Sequence, residues 1–315
     1  MDSLRLLYRD VDRTPYLFAL RHCAKRLGLE LEVLRYDMDR VSAGPTGQEW
    51  GEMLLSGGVD VIGENYWGLQ SYRAIGRPVL CVASVVNVWT EKLIVAPGIE
   101  SLDDLRGKRF ALRSVGPQAL LPKRWLADIG LASSVEVVTY PERETGRWGH
   151  WKKVADGECQ ACFMTNIYAD RALGAGLREL PYEPYPFDGG NVTLTTTEAT
   201  ARGKPDALQA LVDATFDTTA LFKTDPHAVL AIMRKECADL LTEHFGVLEE
   251  DRLEWLYGVL RDELADVPLP TPEGISNARR VRLGTAPELD AYNPMIMWEL
   301  GFARRAMARP AHPGS

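Results

Sequence analysis

Residues that carry metal and thiol chemistry are scarce in this sequence. Its 315 residues include five histidines and five cysteines, the latter at Cys23, Cys81, Cys159, Cys162 and Cys237. An odd number of scattered cysteines favours reduced thiols over a disulfide framework. Cys159 and Cys162 form a C-x-x-C, but it does not open a helix and has no second ligand pair, so we interpret both as small buried residues of a strand. We predict neither a metal site nor a cofactor.

The chain also has little basic charge and no long apolar run. Its net charge of −8 provides no basic field for nucleic acid, and no segment is apolar enough to predict insertion into a membrane. In the first thirty residues the longest apolar run is Tyr16 to Leu20, and arginines precede it where a signal sequence would require apolar residues. We therefore expect a cytoplasmic location.

What the sequence contains is an alternation of strand and helix patterns. Residues 4–36 are typical of a strand, a helix and a second strand, and residues 92–185 repeat this alternation on their own. From residue 205 onwards, apolar side chains recur at three- and four-residue spacing, which predicts helices. The pattern predicts an α/β fold with mixed, mostly parallel sheets and a helical C-terminal part.

Polar and aromatic side chains follow the predicted strands. Ligands of open parallel sheets bind at the carboxyl ends of the strands, so these positions are the candidates for a binding site. The candidate substrate-binding residues are Arg9, Asp10, Arg13, Asn65, Tyr66, Trp67, Asn87, Trp89, Arg113, Ser114, Gly116, Gln118, Thr165, Asn166 and Tyr168.

The segment LRSVGPQALL carries the sharpest of these signals. A strand that ends in Ser114 and Gly116 and is followed by a helix directs backbone N–H groups and the helix dipole at an anion. A serine cap with a tight turn explains the same residues. The segment lacks the Lys-Ser/Thr of a P-loop and the third glycine of a dinucleotide fingerprint, which disfavours ATP and NAD.

Two aromatic segments offer further chemistry. In NYWGLQSY, Tyr66 or Trp67 would stack an aromatic ligand or, alternatively, fill an interface between lobes. In RWGHWKK, His150 is either a group that titrates near neutrality or a cap at the start of a helix.

The phrases IESLDDLRGKRFALRSVGPQALLPKRWLADIGL and VADGECQACFMTNIYADRAL resemble the type 2 periplasmic-binding-protein fold, in its nitrate/sulfonate/taurine-binding and thiamine-pyrimidine-synthase-like branch. The resemblance implies a first lobe of residues 1–90 and 191–308 and a second lobe of residues 91–190. It also implies a ligand held in the cleft between lobes that close by a hinge motion. We expect residues 309–315 to form a disordered tail.

Two shorter motifs are similar to those of 4,5-dihydroxyphthalate decarboxylase and its relatives, which are cytoplasmic enzymes of the same fold. RDVDRT is similar to their D-x-D-R-T opening, and YPERETGRW is similar to their EEPGR loop. The chain departs from that group at Asn87, Val88 and Trp89, where an Arg-His pair is expected. It departs from thiamine-pyrimidine synthase at NVTLTTTEAT, which replaces a Cys-rich run.

These features lead to three hypotheses for function. The first is a cofactor-free decarboxylase or lyase for a small aromatic or other anionic carboxylate. In it, Arg9, Arg13 or Arg113 would hold the carboxylate, and Asp12 or His150 would be the catalytic proton donor. The second is a non-catalytic solute-binding protein of an ABC-type uptake system, or a sensor, for a sulfonate or carboxylate. The third is a biosynthetic lyase or dehydratase. A homodimer is compatible with each.

Overall fold

The structure, a computed structural model, describes residues 2–9, 13–36, 47–64, 66–113, 119–146, 148–183, 185–188, 192–245 and 249–309. The chain divides into two compact units. Unit 1 comprises Met1–Trp89 and Pro186–Ser315, and unit 2 comprises Thr90–Tyr185.

Strands and helices alternate through the first two thirds of the chain. The strands are β1 (Asp2–Tyr8), β2 (Leu29–Arg35), β3 (Val61–Glu64), β4 (Val79–Ser84), β5 (Lys92–Val95), β6 (Arg109–Arg113), β7 (Glu136–Tyr140), β8 (Ala161–Met164), β9 (Arg178–Glu179) and β10 (Thr193–Thr197). The helices are α1 (Thr14–Arg26), α2 (Gly47–Leu55), α3 (Trp67–Ala74), α4 (Leu120–Asp128), α5 (Glu142–Thr145), α6 (Lys152–Ala155), α7 (Asn166–Gly174), α8 (Glu198–Gly203), α9 (Pro205–Thr224), α10 (Pro226–Ile232), α11 (Ala238–Phe245), α12 (Glu250–Glu263), α13 (Pro272–Arg280) and α14 (Gly301–Met307).

The sheet of unit 1 has the strand order β2-β1-β3-β10-β4. β1 pairs in parallel with β2 and β3, and its side chains Leu4, Leu6 and Leu7 are buried. β10 lies between β3 and β4 and is antiparallel to both. The carboxyl end of β1 therefore lies inside the sheet, between the neighbouring strands β2 and β3.

Strand β10 is made of the segment TLTTT, and all five of its residues are buried. β-branched threonine favours a strand, and each buried hydroxyl requires a partner. The Thr196 hydroxyl donates to the Asp60 carbonyl at 2.7 Å, and the Thr197 hydroxyl accepts from the Thr200 N–H to cap α8. These contacts explain why a polar segment lies in the middle of a sheet.

The sheet of unit 2 has the order β7-β6-β8-β5-β9, with β6 parallel to β7 and β8, and β5 antiparallel to β8 and β9. An aromatic cluster forms its core: the Phe163 ring lies 5.0 Å from that of Trp125, 5.5 Å from that of Tyr182 and 5.6 Å from that of Phe110, between ring centroids. Edge-on contacts of this kind add to the burial of apolar surface. In this order β6 holds the place that β1 holds in unit 1.

Cys159 and Cys162 are fully buried next to and within β8, which confirms that the C-x-x-C belongs to a strand region. Burial raises the pKa of the Cys162 thiol, which keeps it protonated and unreactive. No cluster of three or more His, Cys, Asp or Glu side chains in the described part of the chain could hold a metal ion.

Within unit 1, the segment that follows unit 2 is anchored by a buried carboxylate. The Phe187 N–H donates to the Asn87 carbonyl at 3.0 Å. The fully buried Asp188 side chain accepts from the Thr271 N–H at 2.7 Å and from the Thr271 hydroxyl at 3.1 Å, and Thr271 in turn caps α13. Burial raises the pKa of Asp188 to about 7, although the hydrogen bonds from Thr271 oppose that rise.

The C-terminal part is helical, and the predicted α/β fold with mixed sheets is confirmed. Arg309, the first residue of the predicted disordered tail, forms ion pairs with Asp213 at 3.1 Å and Asp217 at 2.8 Å. Arg309 is thus held on α9. Residues 310–315 lie outside the described residues, so the disordered tail stays a prediction. Among the helices that the structure describes, none has the length and apolar character needed to cross a membrane.

The Asp188 anchor predicts a strong effect of a methyl group at Gly274. A Cβ there would lie 2.2 Å from Asp188 Oδ2 and 2.7 Å from Thr271 Oγ1, so the cap would have to open. We expect Gly274→Ala to lower the free energy of unfolding by about 2–4 kcal/mol in urea denaturation. The control is Gly258→Ala on α12, where a Cβ meets nothing within 4 Å and removal of a helical glycine should stabilise by about 0.5–1 kcal/mol. Equal stability of the two variants would contradict the role of the anchor.

Candidate functional site

Arg9 follows β1 directly and is held by a buried glutamate. Its backbone N–H donates to Glu64 Oε1 at 2.7 Å, and its Nη2 lies 3.7 Å from Glu64 Oε2. The Glu64 side chain at the end of β3 is almost fully buried, whereas about a fifth of the Arg9 side chain is exposed. The carboxylate therefore fixes an arginine at the carboxyl end of β1, where the sequence predicted a binding residue.

Arg13 is placed differently from the prediction. Its guanidinium donates to the Glu263 carboxylate of α12, and both side chains are buried. A charge withdrawn from water needs such a partner, because its desolvation costs on the order of several kcal/mol. Arg13 thus ties the start of α1 to α12 and does not present a charge to a ligand, which corrects its assignment as a substrate-binding residue.

Arg113, the last residue of β6, is the most preorganised cation of the predicted set. Its Nη2 lies 2.7 Å from Glu142 Oε1 at the start of α5. Its guanidinium carbon lies 3.8 Å from the centroid of the Trp148 ring, a cation–π distance. The carboxylate and the ring hold the guanidinium from two sides, so its orientation is fixed at the carboxyl end of the strand.

Trp148 and Tyr168 form an aromatic pair beside this arginine. Their ring centroids lie 6.1 Å apart with an interplanar angle of 17°. Trp148 has a φ of 57°, in the left-handed region, which costs a non-glycine residue about 1 kcal/mol or more. The stack with Tyr168 and the contact with Arg113 compensate this strain, which is concentrated at the candidate site.

His150 is a buried neutral imidazole. Its Nε2 donates to the Phe163 carbonyl at 2.8 Å, and its Nδ1 has no hydrogen-bond partner within the described residues. Burial lowers the pKa of His150 to about 4, and the nearby Arg113 charge adds to this effect while the bond to Phe163 opposes it. At neutral pH the imidazole is not an acid, and its one N–H is already used. This corrects its assignment as a proton donor.

Thr165 and Asn166 lie where β8 gives way to α7, as the sequence predicts. Thr165 is the residue before the helix, and its hydroxyl is buried without a hydrogen-bond partner in the part of the chain that the structure describes. Asn166 is the first residue of α7 and is partly exposed. Both belong to unit 2 and follow the strand next to β6, so they extend the strand-end set that includes Arg113.

The aromatic candidates of unit 1 are packed into its core. Tyr66 is 1% exposed and its ring packs edge-on against Trp298 at 5.4 Å between centroids, so it does not provide an open stacking surface. Trp89 is also buried. The Asn87 side chain donates to the Leu269 carbonyl at 3.5 Å, a contact within unit 1. The prediction that Tyr66 stacks a ligand is therefore corrected.

Several predicted site residues cannot be placed. Those that lie outside the described residues are Asp10, Asp12, Asn65, Ser114, Gly116 and Gln118. Trp67 begins α3, but its side chain is likewise outside the description. The anion-binding loop and the catalytic Asp12 stay predictions from the sequence.

Sequence reasoning missed the glutamates that position the arginines. Glu142 lies in the quoted segment YPERETGRW, two residues beyond the strand end at Tyr140, and a carboxylate there was a usable signal. Glu64 also ends a strand, so its position in the sequence was an equally usable signal. Glu263 lies 250 residues from Arg13, and no local pattern connects them.

Comparisons with known proteins agree with this architecture. A family model described as NMT1/THI5 like matches residues 40–229, and no curated protein matches the chain. A periplasmic sulfonate-binding protein SsuA from Methylobacillus flagellatus KT is similar, at 15% identity, 98% of this chain, 94% of that chain and a TM-score of 0.68. The alkanesulfonate-binding protein SsuA from Xanthomonas axonopodis pv. citri, bound to MOPS, is similar at 16% identity. The match covers 94% of this chain and 96% of that chain, with a TM-score of 0.60.

An enzyme is among the similar structures. A mutant of the desulfurization enzyme DSZB in complex with biphenyl-2-sulfinic acid matches at 15% identity over 98% of this chain and 100% of that chain, with a TM-score of 0.63. Identities this low establish the fold alone, which is the predicted type 2 periplasmic-binding-protein fold.

The predicted cytoplasmic location is wrong by these findings. The SsuA structures are named as periplasmic binding proteins, whereas the prediction rested on the composition of the first thirty residues. None of the comparisons supports the decarboxylase assignment.

The neutral His150 predicts a pH-dependent loss of stability. The unfolded imidazole binds a proton below its ordinary pKa of 6.5, while the folded imidazole stays neutral until about pH 4. The free energy of unfolding therefore falls as the pH falls through this window, by about 2–3 kcal/mol between about pH 7.5 and pH 4.5. Urea denaturation should show that His150→Gln, which keeps an N–H donor, loses this part of the dependence.

The exposed His22 on α1 provides the matched control, His22→Gln. Asp188 contributes with the opposite sign between its ordinary pKa and about 7, so each variant is compared with the parent at both pH values. A pH dependence in His150→Gln equal to that of the parent would contradict the buried neutral imidazole.

Proposed function

The chain belongs to the NMT1/THI5-like family, and we propose that it is a periplasmic solute-binding protein of an ABC-type import system that binds a small organic anion, a sulfonate or a carboxylate. The observation that carries the proposal is the fixed guanidinium of Arg113 at the carboxyl end of β6, with its face on Trp148 and its edge on Glu142. A cation that is oriented before the ligand arrives costs little ordering on binding.

The chemistry of this cluster favours an anion with an organic body. A guanidinium donates N–H groups in one plane, which suits the oxygens of a carboxylate or a sulfonate. The stacked Trp148 and Tyr168 are themselves buried, so they support the guanidinium and leave only a small exposed fraction to contact the apolar part of a ligand. Glu142 orients the guanidinium but also competes with an anionic ligand for its N–H groups.

Arg9 supports the same reading in unit 1. It follows β1, whose place in the sheet order corresponds to that of β6, and it too is held by a glutamate. Two units of one chain thus each present an arginine at the end of the same strand of the order. The similar structures that bind MOPS and biphenyl-2-sulfinic acid are proteins with organic sulfur oxyanions as ligands, which supports a ligand of this class.

Catalysis is the second hypothesis, and similarity of fold to the enzyme DSZB is what keeps it open to test. A decarboxylase needs an acid that protonates the ring carbon. His150 is neutral and engaged, so Asp12 is the acid that this hypothesis still requires. The binding function requires no such group, and we favour it for that reason.

Titration calorimetry of Arg113→Gln tests the binding function. Loss of a charged hydrogen-bond donor should weaken binding of MOPS, of benzenesulfonate or of benzoate about 10- to 100-fold, since such bonds contribute about 1.5–3 kcal/mol. Glu142→Gln removes the competing carboxylate, and we expect it to strengthen binding of the anion roughly several-fold.

The matched control is Arg124→Gln in the same unit, because Arg124 on α4 pairs with Asp128 four residues away. It should bind like the parent. Equal affinities of the parent and Arg113→Gln for every anion would refute this site. Mass spectrometry of the recovered ligand separates the two hypotheses, because a solute-binding protein returns it unchanged and a decarboxylase releases CO2.

A further inference from the structure

A cavity of about 420 Å³ opens in unit 1 among α3, β4, α8 and α14. Apolar walls come from Leu80, Trp298 and Phe302, and the lining also contains three arginines: Arg73, Arg202 and Arg305. Its volume lies within the range of small-molecule sites, which combine apolar walls with a few polar groups. None of these residues belongs to the candidate site described above.

Arg305 is the charged residue of the lining that is oriented by its neighbours. Its guanidinium carbon lies 4.7 Å from the centroid of the Phe302 ring, and its Nε donates to Gln209 Oε1 at 2.6 Å. Its polar partner is therefore a neutral amide, and no carboxylate lies within ion-pair distance of Arg305 in the described ranges. The guanidinium is held in place without a direct ion pair, and the Glu299 carboxylate lies nearby, across Gly301.

Gln209 is fixed in the orientation that serves Arg305. Its Nε2 donates to Asp213 Oδ1 at 2.8 Å and to the Phe302 carbonyl at 3.1 Å. Because both amide hydrogens are used in this way, Oε1 is the end that meets the guanidinium. Arg305 is exposed, and its guanidinium is positioned by a network of hydrogen bonds and by an aromatic face.

The other charges of the lining largely cancel. Glu198 pairs with Arg73 at 2.6 Å and with Arg202 at 3.4 Å, so one carboxylate serves two guanidiniums. Glu299 also lines the cavity, but its Oε1 accepts from the Gly301 N–H at 2.8 Å at the start of α14. Three guanidiniums and two carboxylates leave a charge of +1, which one negative charge would balance.

We propose that this cavity is a second ligand site, specific for a small organic monocarboxylate with a flat apolar body. The carboxylate pairs with Arg305, whose planar N–H groups match two oxygens, and the apolar body lies against Phe302 and Trp298. The site is independent of the proposed solute-binding function, because it uses no residue of the Arg113 cluster.

Fluorine NMR of 4-fluorophenylacetate tests the proposal on the full chain. Phenylacetate combines one carboxylate with one ring, and we expect a Kd of about 0.1–1 mM, typical of so small a ligand at a partly open site. 4-Fluorobenzyl alcohol has the ring without the charge and should bind at least about tenfold more weakly. Unlabelled phenylacetate should displace the probe.

The variants separate this site from others. Arg305→Gln should weaken binding about tenfold or more, whereas Arg304→Gln, at the exposed neighbouring position of α14, should leave it unchanged. Arg113→Gln should also leave it unchanged, which distinguishes the outcome from failure of the proposed function. Circular dichroism confirms that each variant is folded, and Gln209→Glu, which places a carboxylate beside Arg305, is expected to block the site in a folded protein.

Four results would overturn the proposal: no binding of the fluorinated acid up to about 10 mM, equal binding of the alcohol, unchanged binding by Arg305→Gln, or equal loss in Arg304→Gln. The first would mean that the cavity takes no such ligand, and the second that its charge has no part in recognition. The last two would place the binding elsewhere on the protein.

Discussion

An arginine that is buried or partly buried needs an opposite charge beside it, because water no longer solvates it fully. This protein meets that requirement at three places: Glu64 holds Arg9, Glu142 holds Arg113, and Glu263 holds Arg13. The degree of burial decides the consequence. Where both partners are buried, the ion pair joins α1 to α12 and presents no charge to a ligand. Where the arginine stays partly exposed, the glutamate makes it an oriented cation at the carboxyl end of a strand.

The same balance of burial and charge favours binding over chemistry. Burial removes the acidity of His150, and strain in the backbone of Trp148 is used to set a ring against Arg113. Such features fix donors and surfaces in advance, which lowers the entropy that a ligand loses when it binds. Among the described residues of this cluster, these features do not supply a proton donor near neutrality. A cluster of this kind is suited to capturing an anion and releasing it unchanged.

Much of this arrangement could be predicted from the sequence, and the failures have separate physical causes. The sequence predicted that Arg9, Arg113, Thr165 and Asn166 come at strand ends, and they do, since strand periodicity and polar punctuation are local. Their part in a binding site stays a prediction. The segment TLTTT was not recognised as a strand, because its threonines are polar by composition and become buried only once their hydroxyls find partners such as the Asp60 carbonyl. Tyr66 was predicted to face a ligand, but its ring packs on Trp298, which is remote in sequence. The cytoplasmic location was predicted from the composition of the first thirty residues, and nothing else in the composition of the chain could correct that prediction.

By itself the sequence determined the α/β alternation, the helical C-terminal part and which polar side chains come at the ends of strands, because these depend on spacing along a few residues. Only the tertiary structure decided which of those side chains keep their charge available. In the sequence, Arg13 and Arg113 look alike, because each is an arginine that follows or ends a strand region. One meets Glu263 from 250 residues away and is buried, and the other meets Glu142 and Trp148 and remains an oriented cation. Electrostatic partners are chosen by proximity in space, and that proximity exists only after the sheets and helices have packed.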